Sequence, residues 1–159
     1  MSKKTLISLS ISLGLPQLAG GIGAIATRRS IPEWYETLEK PSWRPPRWVF
    51  GPVWTILYAL MGLASWMVWR SRPKRRGVDL ALAIYSIHLA ANTMWSVIFF
   101  GFRRPGAALV EIVLLYRLVV EVTVRFWRIR PLAGMMLLPY LAWIKFAAAL
   151  NAAIWWKNR

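Results

Sequence analysis

The stretch from Leu132 to Trp156 reads LAGMMLLPYLAWIKFAAALNAAIWW and contains one charged residue, Lys145. At about 1.5 Å per residue, an α-helix of this length crosses a hydrocarbon core about 30 Å thick. The tryptophan pair that closes the stretch is typical of helices that finish at a membrane–water interface. The segment therefore predicts a transmembrane helix, and with it an integral membrane protein.

Four further segments of the chain are similarly apolar. The first, from Leu6 to Ala26, is uncharged. Connections between the last four segments are short, which predicts that neighbouring helices are antiparallel. The fold class predicted is an all-α membrane protein, a five-transmembrane-helix bundle that forms a single domain over residues 1–159. The predicted spans cover residues 6–26, 48–69, 80–102, 107–127 and 132–156.

The first segment has a second interpretation. Lys3 and Lys4, an apolar core and the sequence Ala24-Ile25-Ala26 together resemble a signal peptide with its cleavage site. The apolar stretch is long for a signal peptide, whose core has roughly 7–15 residues, and this favours a retained helix.

The composition agrees with a membrane location. Of the 159 residues, 57% are hydrophobic and 17% are charged, whereas soluble domains are roughly 45–50% apolar and about 25% charged. The net charge of +15 would otherwise suggest nucleic acid. The basic residues, however, lie in short runs between apolar stretches, as in loops that meet anionic headgroups. No nucleic-acid partner is expected, and the even spread of Lys and Arg over the loops leaves the orientation open.

The chemistry available to the chain is narrow. Cysteine is absent, which excludes disulfides, thiolate metal sites and cysteine nucleophiles. The sequence also shows no metal-ligand cluster, no Ser-His-Asp set and no phosphate-binding loop. We therefore expect no metal site and no required cofactor.

The first connection, residues 27–47, is long and rich in proline. Pro32, Pro41, Pro45 and Pro46 argue against one continuous helix. Between them, residues 33–40 predict a short helix at the membrane interface. Long structured loops usually carry function.

Placing polar residues inside membrane spans costs free energy, so their presence there usually indicates a function. Arg117, Glu121 and Arg125 follow at i, i+4 and i+8, so the carboxylate can pair with either guanidinium. This predicts charge neutralisation facing the bundle interior, with a proton or substrate path as the alternative. Glu111 and Lys145 either pair with each other or extend toward the interface.

Three helices carry large rings and amides at helical spacing, which indicates either a pocket for a flat apolar molecule or ordinary core packing. The single histidine, His88, is either an axial haem ligand or a hydrogen-bonded structural residue. The faces concerned comprise Gly51, Trp54 and Tyr58; His88, Asn92, Trp95 and Phe99; and Trp143, Ala147, Leu150 and Asn151.

The run KPSWRPPRWVFGPVWTILY, residues 40–58, resembles the translocator protein family, also called TspO/MBR proteins, tryptophan-rich sensory proteins or peripheral-type benzodiazepine receptors. The resemblance continues through Ala91-Asn92, Trp95, Phe99-Phe100-Gly101, residues 139–143 and Leu150-Asn151. It covers nearly the whole chain after the first helix.

The resemblance implies a five-helix bundle, often a homodimer, that binds porphyrins, membrane lipids such as sterols, and benzodiazepine-type ligands. The family's pocket opens beneath the first loop. Trp54 and Trp143 match the tryptophans that some bacterial members are thought to use in light-dependent porphyrin breakdown. The implied pocket lining is Ala24, Phe50, Gly51, Val53, Trp54, Asn92, Trp95, Leu114, Trp143, Ala147 and Leu150.

Two departures from animal members stand out. Ala107 replaces a tryptophan of the drug-site wall, and Ala152 replaces the tyrosine of a cholesterol motif. The second change puts cholesterol binding by that route in doubt.

Three functions remain open at this point. The first is a receptor, sensor or carrier for porphyrin and lipid. The second is a porphyrin photo-oxidase that uses Trp54 and Trp143. The third is a secondary transporter that uses Arg117, Glu121 and Lys145, although the chain lacks the paired repeats common in transporters. No matrix-type presequence precedes the first span, which favours a bacterial cell membrane and leaves the mitochondrial outer membrane open.

Overall fold

A computed structural model describes residues 3–159, and the residues so described form helices and loops without strands. Four helices are long and apolar enough to cross a membrane: the first, second, third and last. The prediction of an all-α membrane fold is confirmed. The elements are α1 (Lys3–Glu33), a 3₁₀ turn (Tyr35–Thr37), α2 (Arg47–Trp69), α3 (Val78–Ser96) continued by a π-helical turn (Val97–Gly101), α4 (Pro105–Ile129) and α5 (Pro131–Lys157).

The helix α4 does not qualify as a span by composition, because Glu111, Arg117, Glu121 and Arg125 interrupt its apolar sequence. Within residues 3–159, composition therefore identifies four spans, one fewer than the sequence pattern predicted. Packing places α4 beside the others, since it contacts α5 and α3 extensively. Its inner face, from Ala108 to Ile129, is buried along its whole length.

The first helix is longer than the predicted span of 6–26, because it continues to Glu33 through Pro16 and Pro32. A proline removes one backbone hydrogen bond. The helix can continue past it in a membrane, because no water is present there to compete for the remaining backbone hydrogen bonds. The connection to α2 is correspondingly shorter than 27–47, and it comprises residues 34–46. The predicted interfacial helix over 33–40 is reduced to the 3₁₀ turn, closed by the Thr37 amide on the Trp34 carbonyl at 3.0 Å.

The outer surface of α1 is strongly apolar, with Leu18 67% and Ile25 75% exposed. Exposed apolar side chains of this size are stable against lipid rather than water. The buried core lies instead between α2, α3, α4 and α5, where Met61, Tyr85 and Leu115 are enclosed. The arrangement puts α1 at the edge of the bundle, against α2 and α3.

Candidate ligand pocket

A cavity of about 620 Å³ lies between α1, α2, α5 and the end of α3, beneath residues 34–46. Ligand pockets for small molecules typically measure about 300–1,000 Å³ and are mostly apolar with a few polar groups. Rings form much of the wall, and small residues of α1 form one side. The cavity is therefore large enough for a drug-sized or macrocyclic ligand.

The structure brings together most of the residues that the resemblance implied for a pocket. Lining the cavity are Ala24, Phe50, Gly51, Trp54, Trp95, Trp143, Ala147 and Leu150. Three others lie elsewhere. Val53 borders a shallower groove between α2 and α5, Asn92 is buried below the cavity, and Leu114 is 57% exposed on the outside of α4. Ala107 is also exposed and outside the lining.

Two tryptophans on facing helices form the aromatic wall. The ring centroids of Trp54 and Trp143 are 6.4 Å apart, and the rings are nearly perpendicular at 87°. Tyr58 stacks on Trp54 at 5.1 Å, and Phe50 meets Trp143 edge-on at 5.7 Å. Edge-to-face and offset-stacked pairs are the preferred arrangements of aromatic rings. These contacts hold both indoles in defined orientations toward the cavity.

A hydrogen-bond chain holds Trp95 on the opposite wall. Its indole Nε1 donates to Asn151 Oδ1 at 3.1 Å, and Asn151 Nδ2 donates to the Pro105 carbonyl at 2.8 Å. Trp95 also stacks on Phe99 at 5.3 Å. Asn151 was part of a sequence-predicted face, and the structure shows that it joins α3, α4 and α5 at the cavity wall.

Glycines of α1 and α2 create space in the cavity. A Cβ added at Gly20 would collide with the Tyr58 ring, whereas one added at Gly21 or Gly51 would meet no atom within 4 Å. All three residues line the cavity. The glycine at position 20 thus lets Tyr58 close one end of the cavity, and the other two leave it open.

Basic side chains gather where loop 34–46 covers the cavity. Glu36 lies 3.9 Å from Lys40 Nζ, 3.9 Å from Arg44 Nη1 and 3.3 Å from Arg47 Nη1. Arg28 of α1 also lines the cavity. One carboxylate therefore faces three cations, which leaves an excess of positive charge at the mouth. The sequence pattern alone did not single out Arg28 for this role.

Two further features of the mouth are available to a ligand. The Nη1 atom of Arg44 is buried without a hydrogen-bond partner. Burial raises the pKa of the neighbouring Tyr35 phenol above its usual value, although Arg44 opposes the shift. Tyr35 therefore stays protonated at neutral pH. Both groups can donate hydrogen bonds to an acceptor in the cavity, such as a carboxylate.

His88 is a hydrogen-bonded structural residue. Its Nδ1 lies 2.9 Å from the Tyr85 carbonyl, which can only accept, so Nδ1 carries the proton. Nε2 then accepts from the Tyr140 hydroxyl at 3.2 Å. Both ring nitrogens are engaged and the side chain is 1% exposed. This arrangement leaves no nitrogen free for haem. In residues 3–159 no group of three His, Asp or Glu side chains is placed to hold a metal ion.

Arg117, Glu121 and Arg125 of α4 do not face the bundle interior, contrary to the prediction. Arg117 and Glu121 are exposed, and Glu121 Oε1 accepts from Arg125 Nε at 2.6 Å on the outer surface. They face outward because Ile112, Leu115 and Val119 occupy the inner face. Glu111 and Lys145 form no ion pair with each other. Lys145 is exposed, and Glu111 Oε2 is buried without a hydrogen-bond partner.

The π-helical turn at the end of α3 was not predicted. The Phe102 amide reaches back five residues to the Val97 carbonyl at 2.8 Å, and Ser30 Oγ donates to the Phe100 carbonyl at 2.6 Å. The wider turn directs Phe99 and Phe100 toward the cavity and ties α3 to α1. Such turns often occur at functional sites. The sequence 97–101 is apolar throughout and carries no signal for the change in helical pitch.

Comparison with known proteins points in one direction. A sequence profile of the TspO/MBR family matches residues 12–157. The chain is 40% identical over 151 residues to the tryptophan-rich protein TspO of Chlorobaculum tepidum, covering 95% of this chain and 96% of that protein. It is 43% identical over 126 residues to the human translocator protein, covering 79% and 75%. Protein CrtK of Rhodobacter capsulatus is 38% identical over 140 residues, covering 88% and 86%.

Proposed function

Since the chain belongs to the TspO/MBR family of integral membrane proteins, we propose that it is a receptor, sensor or carrier that binds a porphyrin in the cavity between its helices. The observation that carries the proposal is an aromatic cavity of about 620 Å³ with an arginine-rich mouth. Bacterial relatives named TspO and CrtK support a bacterial membrane as its location.

The cavity walls suit a flat, largely apolar ring system. Trp54, Trp143 and Trp95 present indoles from three different helices, and stacking on such rings adds to the free energy gained by burying apolar area. Gly21 and Gly51 leave the space between these walls unfilled. Sterols and benzodiazepine-type molecules share this apolar requirement, so we propose them as competing ligands of the same cavity.

The mouth favours a ligand that carries carboxylates. Arg28, Arg44 and Lys40 outnumber the single carboxylate of Glu36. A propionate entering the mouth would meet guanidinium groups in a partly dry setting, where charge-assisted hydrogen bonds are strong. A sterol has no anionic group to pair with these cations, which makes a tetrapyrrole with propionates the better fit.

For the membrane arrangement, we propose one domain of five spanning helices, with α4 as the additional span. The helix packs along α5 and α3, which themselves have the length and composition of spans. Its apolar inner face runs from Ala108 to Ile129. A helix packed along its length between two spanning helices lies at the same depth as they do.

The proposal is tested by titrating the protein in lipid nanodiscs with protoporphyrin IX and following the Soret band. We expect saturable binding with a Kd in the micromolar range or tighter, about −8 kcal/mol. Trp143→Ala should weaken binding at least tenfold. Trp156→Ala is the matched control, because Trp156 is 63% exposed and outside the cavity. A linear, unsaturable titration, or equal effects of both variants, would show partition into lipid.

A second experiment tests the contribution of the basic residues at the mouth of the cavity. Protoporphyrin IX dimethyl ester keeps the ring and lacks the carboxylates, so it should bind more weakly to the natural chain. Arg47→Gln should remove part of that difference, because Arg47 is next to the cavity and exposed enough to be replaced safely. Arg75→Gln, in the loop between α2 and α3, is the control. Equal affinities for acid and ester would exclude recognition of the propionates.

The second candidate function is light-dependent porphyrin degradation, favoured by the close placement of Trp54 and Trp143 in the cavity. An indole can donate an electron to a photo-excited porphyrin, which passes it to molecular oxygen and forms superoxide. The indole radical cation then takes an electron back from the ring, and superoxide adds to the oxidised ring, so that porphyrin and oxygen are the only net reactants. Illumination of the bound pigment in oxygen should give a new absorbing species. The double variant Trp54→Phe, Trp143→Phe at saturating porphyrin decides between the functions: a rate equal to that of the natural chain means ordinary photobleaching.

For the third function, secondary transport, the charged residues that the sequence suggested lie away from the cavity. Arg117 and Glu121 lie on the outer surface of α4, and Lys145 is exposed on α5. None of the three lines the cavity. These placements favour a binding protein over a transporter driven by their charges.

A further inference from the structure

Three side chains form a chain of contacts that leads from the cavity wall into the core. Trp54 lines the cavity, and its indole meets the Tyr140 ring at a centroid distance of 6.3 Å and an angle of 61°. The Tyr140 hydroxyl in turn lies 3.2 Å from His88 Nε2. Tyr140 and His88 are each 1% exposed. An indole at the cavity is therefore connected through a buried phenol to a buried imidazole.

The imidazole is oriented to act as a base toward the phenol. Its Nδ1 donates to the Tyr85 carbonyl at 2.9 Å, so the lone pair of Nε2 is directed at the Tyr140 hydroxyl. A base within about 3.2 Å of a hydroxyl oxygen is close enough to take its proton. Histidine is a common acceptor in such transfers. The pair can therefore release a proton from the phenol without the help of water.

We propose that Tyr140 is a redox-active residue that reduces the oxidised indole of Trp54 and passes its proton to His88. This inference rests on the second candidate function, in which a photo-excited porphyrin takes an electron from the indole. One electron then moves from Tyr140 to the Trp54 radical cation, while the phenol proton moves to His88 Nε2. The products are a neutral indole, a neutral tyrosyl radical and an imidazolium.

The balance of charge favours this step in a buried setting. The positive charge is moved from the indole to the imidazole, and no new charge is created in the core. The imidazolium keeps the Tyr85 carbonyl as the acceptor of Nδ1, and its new Nε2 proton is donated to the oxygen of Tyr140. A buried charge costs less free energy when it is hydrogen-bonded in this way.

The consequence is that the oxidised residue is separated from the reduced pigment. A Trp54 radical cation at the cavity wall can take its electron straight back from the porphyrin, which ends the reaction. A radical on the buried Tyr140 recombines more slowly, so the pigment has longer to pass its electron to molecular oxygen. When the ring later returns an electron to Tyr140 through Trp54, His88 gives back the proton. Porphyrin and oxygen remain the only net reactants.

Tyr58 serves as an internal comparison, because it contacts the same indole and has a different hydroxyl partner. Its ring stacks on Trp54 at 5.1 Å, closer than the ring of Tyr140. Its hydroxyl accepts a hydrogen bond from Asn92 Nδ2 at 3.0 Å. A carboxamide is too weak a base to take a phenol proton. The partner of the hydroxyl, rather than the distance to the indole, therefore assigns the redox role to Tyr140.

Electron paramagnetic resonance tests the assignment. Protein in nanodiscs with saturating protoporphyrin IX is illuminated and frozen, and ring-deuterated tyrosine identifies the tyrosyl signal. Tyr140→Phe should lower that signal at least fivefold, and Tyr58→Phe less than twofold. His88→Gln should also lower it at least fivefold, because glutamine accepts the phenol hydrogen bond without taking the proton. An undiminished signal in Tyr140→Phe or His88→Gln, or an equal loss in Tyr58→Phe, would overturn the proposal.

A tethered photo-oxidant separates this proposal from the photo-oxidase function. The natural chain has no cysteine, so Thr55→Cys places a single ruthenium–bipyridyl label next to Trp54. Thr55 is exposed at the cavity, and its hydroxyl donates to the Gly51 carbonyl of its own helix. Flash oxidation with a cobalt(III)–ammine quencher, without porphyrin, should produce the same tyrosyl radical, and added Tyr140→Phe should remove it.

The two experiments fail in different ways. A Tyr140-dependent radical with ruthenium and none with porphyrin would support the redox role of Tyr140 and count against the photo-oxidase function. The absence of a Tyr140-dependent radical with ruthenium would overturn the redox role, whatever the pigment does.

Discussion

On one side of the bundle α4 and α5 pack backbone against backbone at Gly134, whereas on the other side Gly21 of α1 and Gly51 of α2 border open space. A Cβ at Gly134 would lie 2.7 Å from the Trp127 Cα. A Cβ at Gly21 or Gly51 would meet nothing within 4 Å. The same residue type therefore closes one interface and opens a cavity beside another. What a small residue does in a membrane bundle depends on what lies across from it.

The largest effect is expected at the closed interface. Gly134→Leu should cost about 3 kcal/mol of stability, because the Trp127 backbone cannot move aside as a flexible side chain can. Gly14→Leu is the matched control, since nothing lies within 4 Å of a Cβ there. Thermal unfolding in detergent, followed by circular dichroism, measures both variants. Similar losses in the two would mean that the contact between α4 and α5 is not the limiting one.

The next largest loss of stability is expected at the buried hydrogen bonds below the cavity. Tyr140→Phe removes the donor to His88 Nε2, and the bare nitrogen should cost about 2 kcal/mol of stability. Replacing both residues, with His88→Leu added, should recover part of that loss, because neither member of the Tyr140–His88 hydrogen bond then leaves an unpaired polar atom. Porphyrin affinity should change little in either protein. A double variant that is less stable than the single one would speak against this hydrogen bond.

At the open side the expected effect is on binding and not on stability. Gly51→Phe would extend a ring into unoccupied space, so the fold should tolerate it while porphyrin affinity falls at least tenfold, or about 1.4 kcal/mol. Gly14→Phe, outside the cavity lining, should leave affinity unchanged. A destabilised Gly51→Phe protein would show that the space is smaller than described.

The smallest effect is expected at Leu114. The family resemblance implied that it lines the pocket, but it is 57% exposed on the outside of α4. Leu114→Ala should therefore change porphyrin affinity less than twofold, compared with at least tenfold for Trp143→Ala. The same titration in nanodiscs measures both. A tenfold loss in Leu114→Ala would place a binding surface on α4 and revise the location of the site.

Much of the fold could be predicted from the sequence because hydrophobic length is a local property. The length and composition of the run from Leu132 to Trp156 suit only the bilayer, and the same holds for α2 and α3. The family resemblance also predicted that Trp54, Trp143 and Trp95 line one pocket, and all three line the cavity. Residue types in fixed order along a helix were enough for these conclusions.

Other features depended on contacts between distant parts of the chain. The sequence pattern could not show which way Arg117 and Glu121 face, because the inward side of α4 is defined by how α3 and α5 pack on it. The π-helical turn at 97–101 is tied to α1 by Ser30, seventy residues away, which donates to the Phe100 carbonyl. The proline content predicted a loop over residues 27–47, but α1 continues to Glu33 and the loop is correspondingly shorter.

The sequence by itself determined that this chain enters a membrane as apolar helices, since transfer free energy adds up along a continuous segment and needs no partner. Only the tertiary structure decided where space remains between those helices and which charges stay outside. Packing is a relation between surfaces, and each glycine or arginine acquires its role from the atoms that face it. The cavity beside Gly51 and the outward-facing Arg117 on α4 both arise in that way.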